Sequence, residues 1–238
     1  MKPTRVSQSQ PELRIQQGQA GRSSWQIKAS RLVVRGLFQL LFRVRVIGLE
    51  NVPRIPAVIC FNHLGWAEGF MVLLFFPVEP RIYGLGERHV AYLSRWRTRM
   101  LNWLQIFIPL ERDKPRRALQ MMKGILERGG SLALAPEGRL GNKEGTVSEL
   151  QHGAAYLSQI SATPLIPVGV TGCLELWLRR HITMRIGQPL YPNQFEGDMR
   201  TRIRAMTARL DRDMRALLPG DFEQPRFKPL RDCLTKLF

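Results

Sequence analysis

The stretch Ala57-Val58-Ile59-Cys60-Phe61-Asn62-His63-Leu64-Gly65-Trp66-Ala67-Glu68-Gly69 decides how the chain folds. Its first five residues are a short apolar run, with Val58 and Ile59 β-branched, which suits a strand buried on both faces. Asn62 and His63 end the run, Leu64-Gly65-Trp66 supplies a turn, and an apolar helix follows from about Glu68 to Phe76. A buried strand handing over to a helix through a short loop is the repeating unit of an α/β layer structure.

The same alternation extends in both directions. Upstream, Arg43 to Ile47 (RVRVI) alternates like a strand, and Gly48 to Pro56 is a turn-rich connection. Downstream, strands are expected at Arg81–Leu85, Ile106–Leu110, Ser131–Ala135, Leu165–Val170 and Thr183–Gly187. Helices are expected between and after them at Glu87–Leu104, Pro115–Arg128, Glu149–Ile160 and Phe195–Leu218. Pro115 suits a first helical position, and Gly129-Gly130 suits a stop. The pattern predicts an α/β fold, a mostly parallel mixed sheet flanked by helices, with an N-terminal amphipathic helical segment. Residues 1–23 read as a flexible basic tail, 24–42 as the amphipathic helix, 43–218 as one domain, and 219–238 as a C-terminal tail.

Charge is the compositional outlier. Lys and Arg number 36 against 19 Asp and Glu, a formal net charge of +17. Such a field attracts nucleic acid, an anionic bilayer or a phosphorylated substrate, and its sign does not choose among them. Cys60, Cys173 and Cys233 are far apart, and His63, His89, His152 and His181 show no metal-ligand spacing, so neither a disulfide framework nor a bound metal is expected. The longest apolar run, Gly69 to Val78, is about half the roughly 20 residues that cross a bilayer. In Ser24 to Phe42 the apolar Trp25, Leu32, Val33, Leu37, Leu40 and Leu41 fall near helical spacing, among Lys28, Arg31, Arg35 and Arg43. Two readings stand: an interfacial helix that enters the acyl boundary while its cations meet phosphate, or a helix docked on the protein's own core.

His63 and Glu68 are the first candidates for chemistry. On one continuous helix such a pair lies roughly 140° apart, and on one strand about 17 Å apart. Only a turn between them, which Leu64-Gly65-Trp66 supplies, lets them meet. A carboxylate on one imidazole nitrogen would fix the tautomer while the other nitrogen takes a proton; the pair alone also fits a purely structural histidine. A second stretch, Ala135-Pro136-Glu137-Gly138-Arg139, follows a buried strand at the place where open α/β sheets bind ligands. There Gly138 lets a ligand approach the backbone and Arg139 offers a planar fork to phosphate; a solvated turn is the other reading. Glu111-Arg112-Asp113-Lys114 ends another strand, and Pro164 to Gly172 (PLIPVGVTG) is a buried strand with no proton-transfer side chain.

Taken in order, these blocks resemble the glycerolipid acyltransferases, in particular the 1-acyl-glycerol-3-phosphate (lysophosphatidate) type. That family carries four blocks, roughly N-H-x-S-x-x-D, F-(I/V)-x-R, F-P-E-G-T-R and V-P-V. Their counterparts here are Asn62 to Glu68, Phe107 to Arg112, Pro136 to Arg139 and Ile166 to Val168, and the likeness runs from about Arg43 to Gly187. The first block has Glu68 for the usual Asp and Gly65 for the usual Ser, and Arg139 stands one position early.

The resemblance implies that His63 is the general base for an acceptor hydroxyl and Glu68 its orienting acid. It further implies that Arg112, Glu137 and Gly138 bind the acceptor's glycerophosphate, with Arg139 beside them. The implied reaction moves a fatty acyl group from acyl-CoA or acyl carrier protein, as co-substrate and without a further cofactor, to a lysophospholipid-like acceptor. Membrane lipids of an anionic bilayer are the expected partners, at the cytoplasmic face and in membrane lipid synthesis. The Arg-rich run Arg200 to Arg215 lacks interleaved aromatics, so nucleic acid is not an expected partner. Because Asp-to-Glu change at a catalytic position is how a site begins to fail, a non-catalytic anionic-lipid-binding relative is the alternative.

Overall fold

The computed structural model describes residues 21–87, 107–110, 115–219 and 227–236. Its strands are β1 (Arg43–Ile47), β2 (Val58–Phe61), β3 (Ile82–Glu87), β4 (Phe107–Leu110), β5 (Ser131–Leu134), β6 (Leu165–Thr171) and β7 (His181–Ile186). They form one seven-stranded sheet in the order β1-β7-β6-β2-β5-β3-β4. Every neighbouring pair is parallel except β6 and β7, so β1 and β7 run against the other strands. The expected mostly parallel mixed sheet is the one observed.

Side-chain alternation on β2 shows how the layers are divided. Ile59 and Phe61 enter one core, with Phe38 and Phe42 and with Met71, Val72 and Phe75. Val58 and Cys60 point the other way and join Ile125, Leu157, Met206 and Leu210. The first core lies under helices α1 (Trp25–Leu41) and α2 (Ala67–Phe75). The second lies under α3 (Pro115–Glu127), α4 (Gly153–Ser161) and α5 (Met199–Ala216). β6, flanked by β7 and β2, is buried along its whole length, as its unbroken apolar sequence requires.

Element ends follow local chemistry. Ser24 caps α1 by accepting the Ile27 N–H. α3 stops where Gly129 takes φ +87°, with the N–H groups of Gly129 and Gly130 returning to Leu126 and Ile125 carbonyls. Some boundaries differ from expectation. α4 starts at Gly153 rather than Glu149, because the N–H of Ser148 is taken by the Glu137 carboxylate (2.7 Å) and that of Gln151 by the Pro136 carbonyl (2.8 Å). Those bonds hold the preceding residues out of the helix. α5 starts at Met199, where the Asp198 carboxylate accepts the Thr201 N–H at 2.7 Å and caps it. The helix expected over Glu87–Leu104 falls almost wholly outside the described residues.

α1 is docked on the protein's own core by one face and leaves another face open. Phe38 is buried, against Phe42 and the edge of Trp66. Arg31 donates to the carbonyls of Leu74 and Phe76 at the far end of α2. Yet Trp25, Leu32, Val33, Leu37 and Leu40 stay in the open, Leu32 at 73% exposure, on an arc of about 140°. Of the C-terminal segment, residues 227–236 pack back onto the fold through α6 (Arg231–Thr235). Leu234 is buried there, and its carbonyl accepts the Trp66 indole N–H at 3.1 Å.

Candidate active site

Three parallel neighbours, β6, β2 and β5, end side by side, and the candidate residues stand in the loops at their carboxyl ends. His63 follows β2 by two residues. Its backbone is held from both sides: its N–H donates to Glu137 Oε1 at 2.9 Å, and its C=O accepts the Gly141 N–H at 2.6 Å. Its ring meets Phe61 edge to face. Nδ1 is buried and has no hydrogen-bond partner among the described residues. Burial holds the imidazole pKa below its ordinary value of 6.5, against the opposing pull of the Glu137 charge. A shift in this direction favours the neutral ring, the form that can accept a proton.

Glu68 does come back to the turn, as the Leu64-Gly65-Trp66 sequence allows, but its carboxylate does not reach the imidazole. Oε1 accepts the Leu64 N–H at 3.0 Å and Oε2 the Gly65 N–H at 3.1 Å. The side chain is fully buried in the first turn of α2. Burial pushes its pKa up to about 7, opposed by the backbone N–H bonds and assisted by the charge of Glu144. Glu68 thus fixes the peptide groups that follow the histidine.

Glu137 has the same character. It is 3% exposed, and its two oxygens are occupied by the N–H groups of His63 and Ser148. Gly138 takes φ +64°, the left-handed conformation that favours glycine, and turns the chain outward so that Gly138 and Arg139 are exposed beside the site. The structure brings His63, Glu68, Glu137 and Gly138 into one loop cluster, with Arg139 on its rim. Arg112 lies outside the described residues. Among the described residues no group of His, Cys, Asp and Glu is arranged to hold a metal ion.

Three residues of the cluster were not singled out from sequence. Asn62, fully buried, spans β2 to β6: its amide donates to the Val170 carbonyl at 2.9 Å and accepts the Val170 N–H at 2.7 Å. Gly141 holds the His63 carbonyl, and a Cβ there would stand 3.0 Å from Leu64 Cδ2. Glu144, 9% exposed, accepts the N–H groups of Gly172 and Leu174 at 2.9 and 3.0 Å. Only Asn62 carried a signal, through its place beside His63 in the first block.

A mostly parallel α/β sheet with a backbone-clamped histidine in the loops at its carboxyl edge places a side chain able to exchange a proton where such sheets bind ligands. The chain belongs to the Acyltransferase family, whose model matches residues 43–171, more than half of its length. It is similar to the 1-acyl-sn-glycerol-3-phosphate acyltransferase of Bacillus subtilis (strain 168), with 24% identity over 181 residues, 73% of this chain and 87% of that one. Its fold is similar to the crystal structure of the 1-acyl-sn-glycerophosphate (LPA) acyltransferase PlsC from Thermotoga maritima. There the TM-score is 0.64 at 18% identity, over 83% of this chain and 81% of the other. The family expected from the four sequence blocks is the one found.

Proposed function

We propose that this acyltransferase works at a membrane surface and moves a fatty acyl group from a thioester, acyl-CoA or acyl carrier protein, to the free hydroxyl of a lysophosphatidate-like lipid. The observation that carries the reading is the backbone-clamped His63 with Nδ1 buried, so that Nε2 is the nitrogen offered to the acceptor. As the acceptor oxygen attacks the thioester carbonyl carbon, Nε2 takes the hydroxyl proton. Collapse of the tetrahedral intermediate breaks the C–S bond, and the proton passes to the departing thiolate, giving an ester and a free thiol. Glu68 and Glu137 act by holding the peptide groups around His63, and Gly138 and Arg139 offer a backbone turn and a guanidinium to the acceptor's phosphate. The similarity to the Bacillus subtilis enzyme supports the choice of acceptor.

The surface of α1 supports the membrane. Its open apolar arc is bordered by Lys28 and Arg35, and from Arg22 to Arg45 the chain has no acidic residue. Among the described residues no helix is long and apolar enough to cross a bilayer. With its open apolar arc and basic border, α1 is read as lying on a membrane surface, at the cytoplasmic face. The alternative, a non-catalytic lipid binder, draws on the Glu68 carboxylate being bound to backbone N–H groups rather than to the imidazole. Incubation of the protein with oleoyl-CoA or oleoyl acyl carrier protein and 1-oleoyl-glycerol-3-phosphate separates the two. Free thiol and diacyl product in equal amounts support the enzyme; binding to lipid with no thiol released from either donor supports the binder.

A further inference from the structure

Glu144 is a buried carboxylate to which the proposed reaction gives no part. It sits in the loop between β5 and α4, and its two oxygens reach across to the turn after β6, where they take the N–H groups of Gly172 and Leu174. That turn is tight: Gly172 has φ +89°, and a Cβ there would stand 2.1 Å from the His181 carbonyl oxygen. Cys173, between the two bonded residues, places its carbonyl 3.5 Å from where a Cβ on Gly65 would be. The turn held by Glu144 therefore lies close beside Gly65, the last residue of the His63-Leu64-Gly65 turn.

The loop that carries Glu144 also holds the histidine itself. Gly141, three residues earlier, donates to the His63 carbonyl, and Glu137, at the loop's start, accepts the His63 N–H. Glu137 also closes the loop by accepting the Ser148 N–H. The loop after β5 thus holds the His63 peptide groups, the turn after β6 lies beside Gly65, and Glu144 joins that loop to that turn. The Cys173 thiol feels the charges of both Glu68 and Glu144, in keeping with their nearness.

We propose that Glu144 is a positioning residue for the acyl transfer, fixing the distance between the loop after β5 and the turn after β6 and through it the placement of the His63 ring. This rests on His63 being the base. Glu144→Gln keeps one acceptor oxygen but sets an amide NH₂ against the second backbone N–H, so it loosens the join without emptying it. The assay is steady-state acyl transfer from oleoyl-CoA and oleoyl acyl carrier protein to 1-oleoyl-glycerol-3-phosphate, with imidazole NMR of the four histidines. The expected result is a kcat lower by about tenfold or more, KM values for donor and acceptor within about twofold of wild type, and a displaced His63 signal with the other three in place. A folded Glu144→Gln protein with unchanged kcat and an unmoved His63 signal overturns the proposal. If that variant does not fold, Glu144→Asp, which keeps the charge and draws it back by one methylene, is read by the same two measurements. A His63→Ala protein that still turns over like wild type would instead overturn the base assignment, so the two failures are distinct.

Discussion

Replacing Glu68 by glutamine is the sharpest probe of what that side chain does. In the folded protein its carboxyl is raised from an ordinary 4.5 to about 7, mainly by burial. The native state therefore binds this proton more tightly than the unfolded chain. Stability from this group is fully present below pH 4.5 and is lost as pH rises through 7. The rise corresponds to about 3 kcal/mol, at about 1.4 kcal/mol per tenfold change in proton affinity. The amide of Glu68→Gln is neutral at every pH, but with one acceptor for the two N–H groups of Leu64 and Gly65 it gives up about 1–3 kcal/mol of hydrogen bonding that does not vary with pH, against which the pH-dependent loss of the wild type is set. Urea unfolding of both proteins from pH 4 to pH 8.5 tests this. The wild type is more stable at the acid end, and the difference shrinks by about 3 kcal/mol toward the alkaline end, bringing the two curves together or making them cross. A stability difference that stays constant across the range would refute the buried, backbone-bound carboxyl.

Asn62→Ala leaves the N–H and C=O of Val170 unpaired in the interior, so unfolding by urea should show a loss of about 2–4 kcal/mol; a loss under about 1 kcal/mol would contradict the join between β2 and β6. Glu137→Gln separates clamping from substrate contact: because both carboxylate oxygens are bound to backbone, kcat should fall about tenfold with the acceptor KM nearly unchanged. A large rise in acceptor KM at constant kcat would instead make Glu137 a substrate ligand. Leu32→Glu with Leu37→Glu alters two exposed side chains of α1, so melting should hardly move while co-sedimentation with anionic phosphatidylglycerol vesicles drops several-fold. Undiminished sedimentation would remove α1 as the membrane contact.

The sheet was legible because its central strands are written in short, uninterrupted apolar runs. AVICF, SLALA and LIPVGV are short apolar runs bounded by turn residues, the pattern of strands covered on both faces. The reversed pair β1 and β7 left no such mark, since an alternating strand such as RVRVI reads the same in either direction. Helix starts were legible only where propensity decides them. The residues before α4 are held out of the helix by Glu137 and Pro136, partners more than ten residues away.

The site was legible as a set of loops, and less so as a set of contacts. The distance from His63 to Glu68 fits an imidazole–carboxylate pair on paper. The fold spends that carboxylate on the two backbone N–H groups nearest to it, in a turn where they would otherwise be buried without partners. Glu144 and Gly141 stayed hidden for a related reason: their partners are main-chain groups, and main-chain groups have no letter in a sequence. The exposure of the α1 stripe was equally out of reach, because periodicity marks an apolar face without saying what it meets.

The central claim is that His63 is the base that deprotonates the acceptor. The most direct measurement is the turnover of His63→Ala in the assay with thioester and 1-oleoyl-glycerol-3-phosphate, beside a melting curve that shows the variant folded. General-base catalysis of this kind contributes about 10²–10⁴-fold, so the rate should fall by at least about a hundredfold. A folded His63→Ala protein within a few-fold of wild-type turnover would contradict the account.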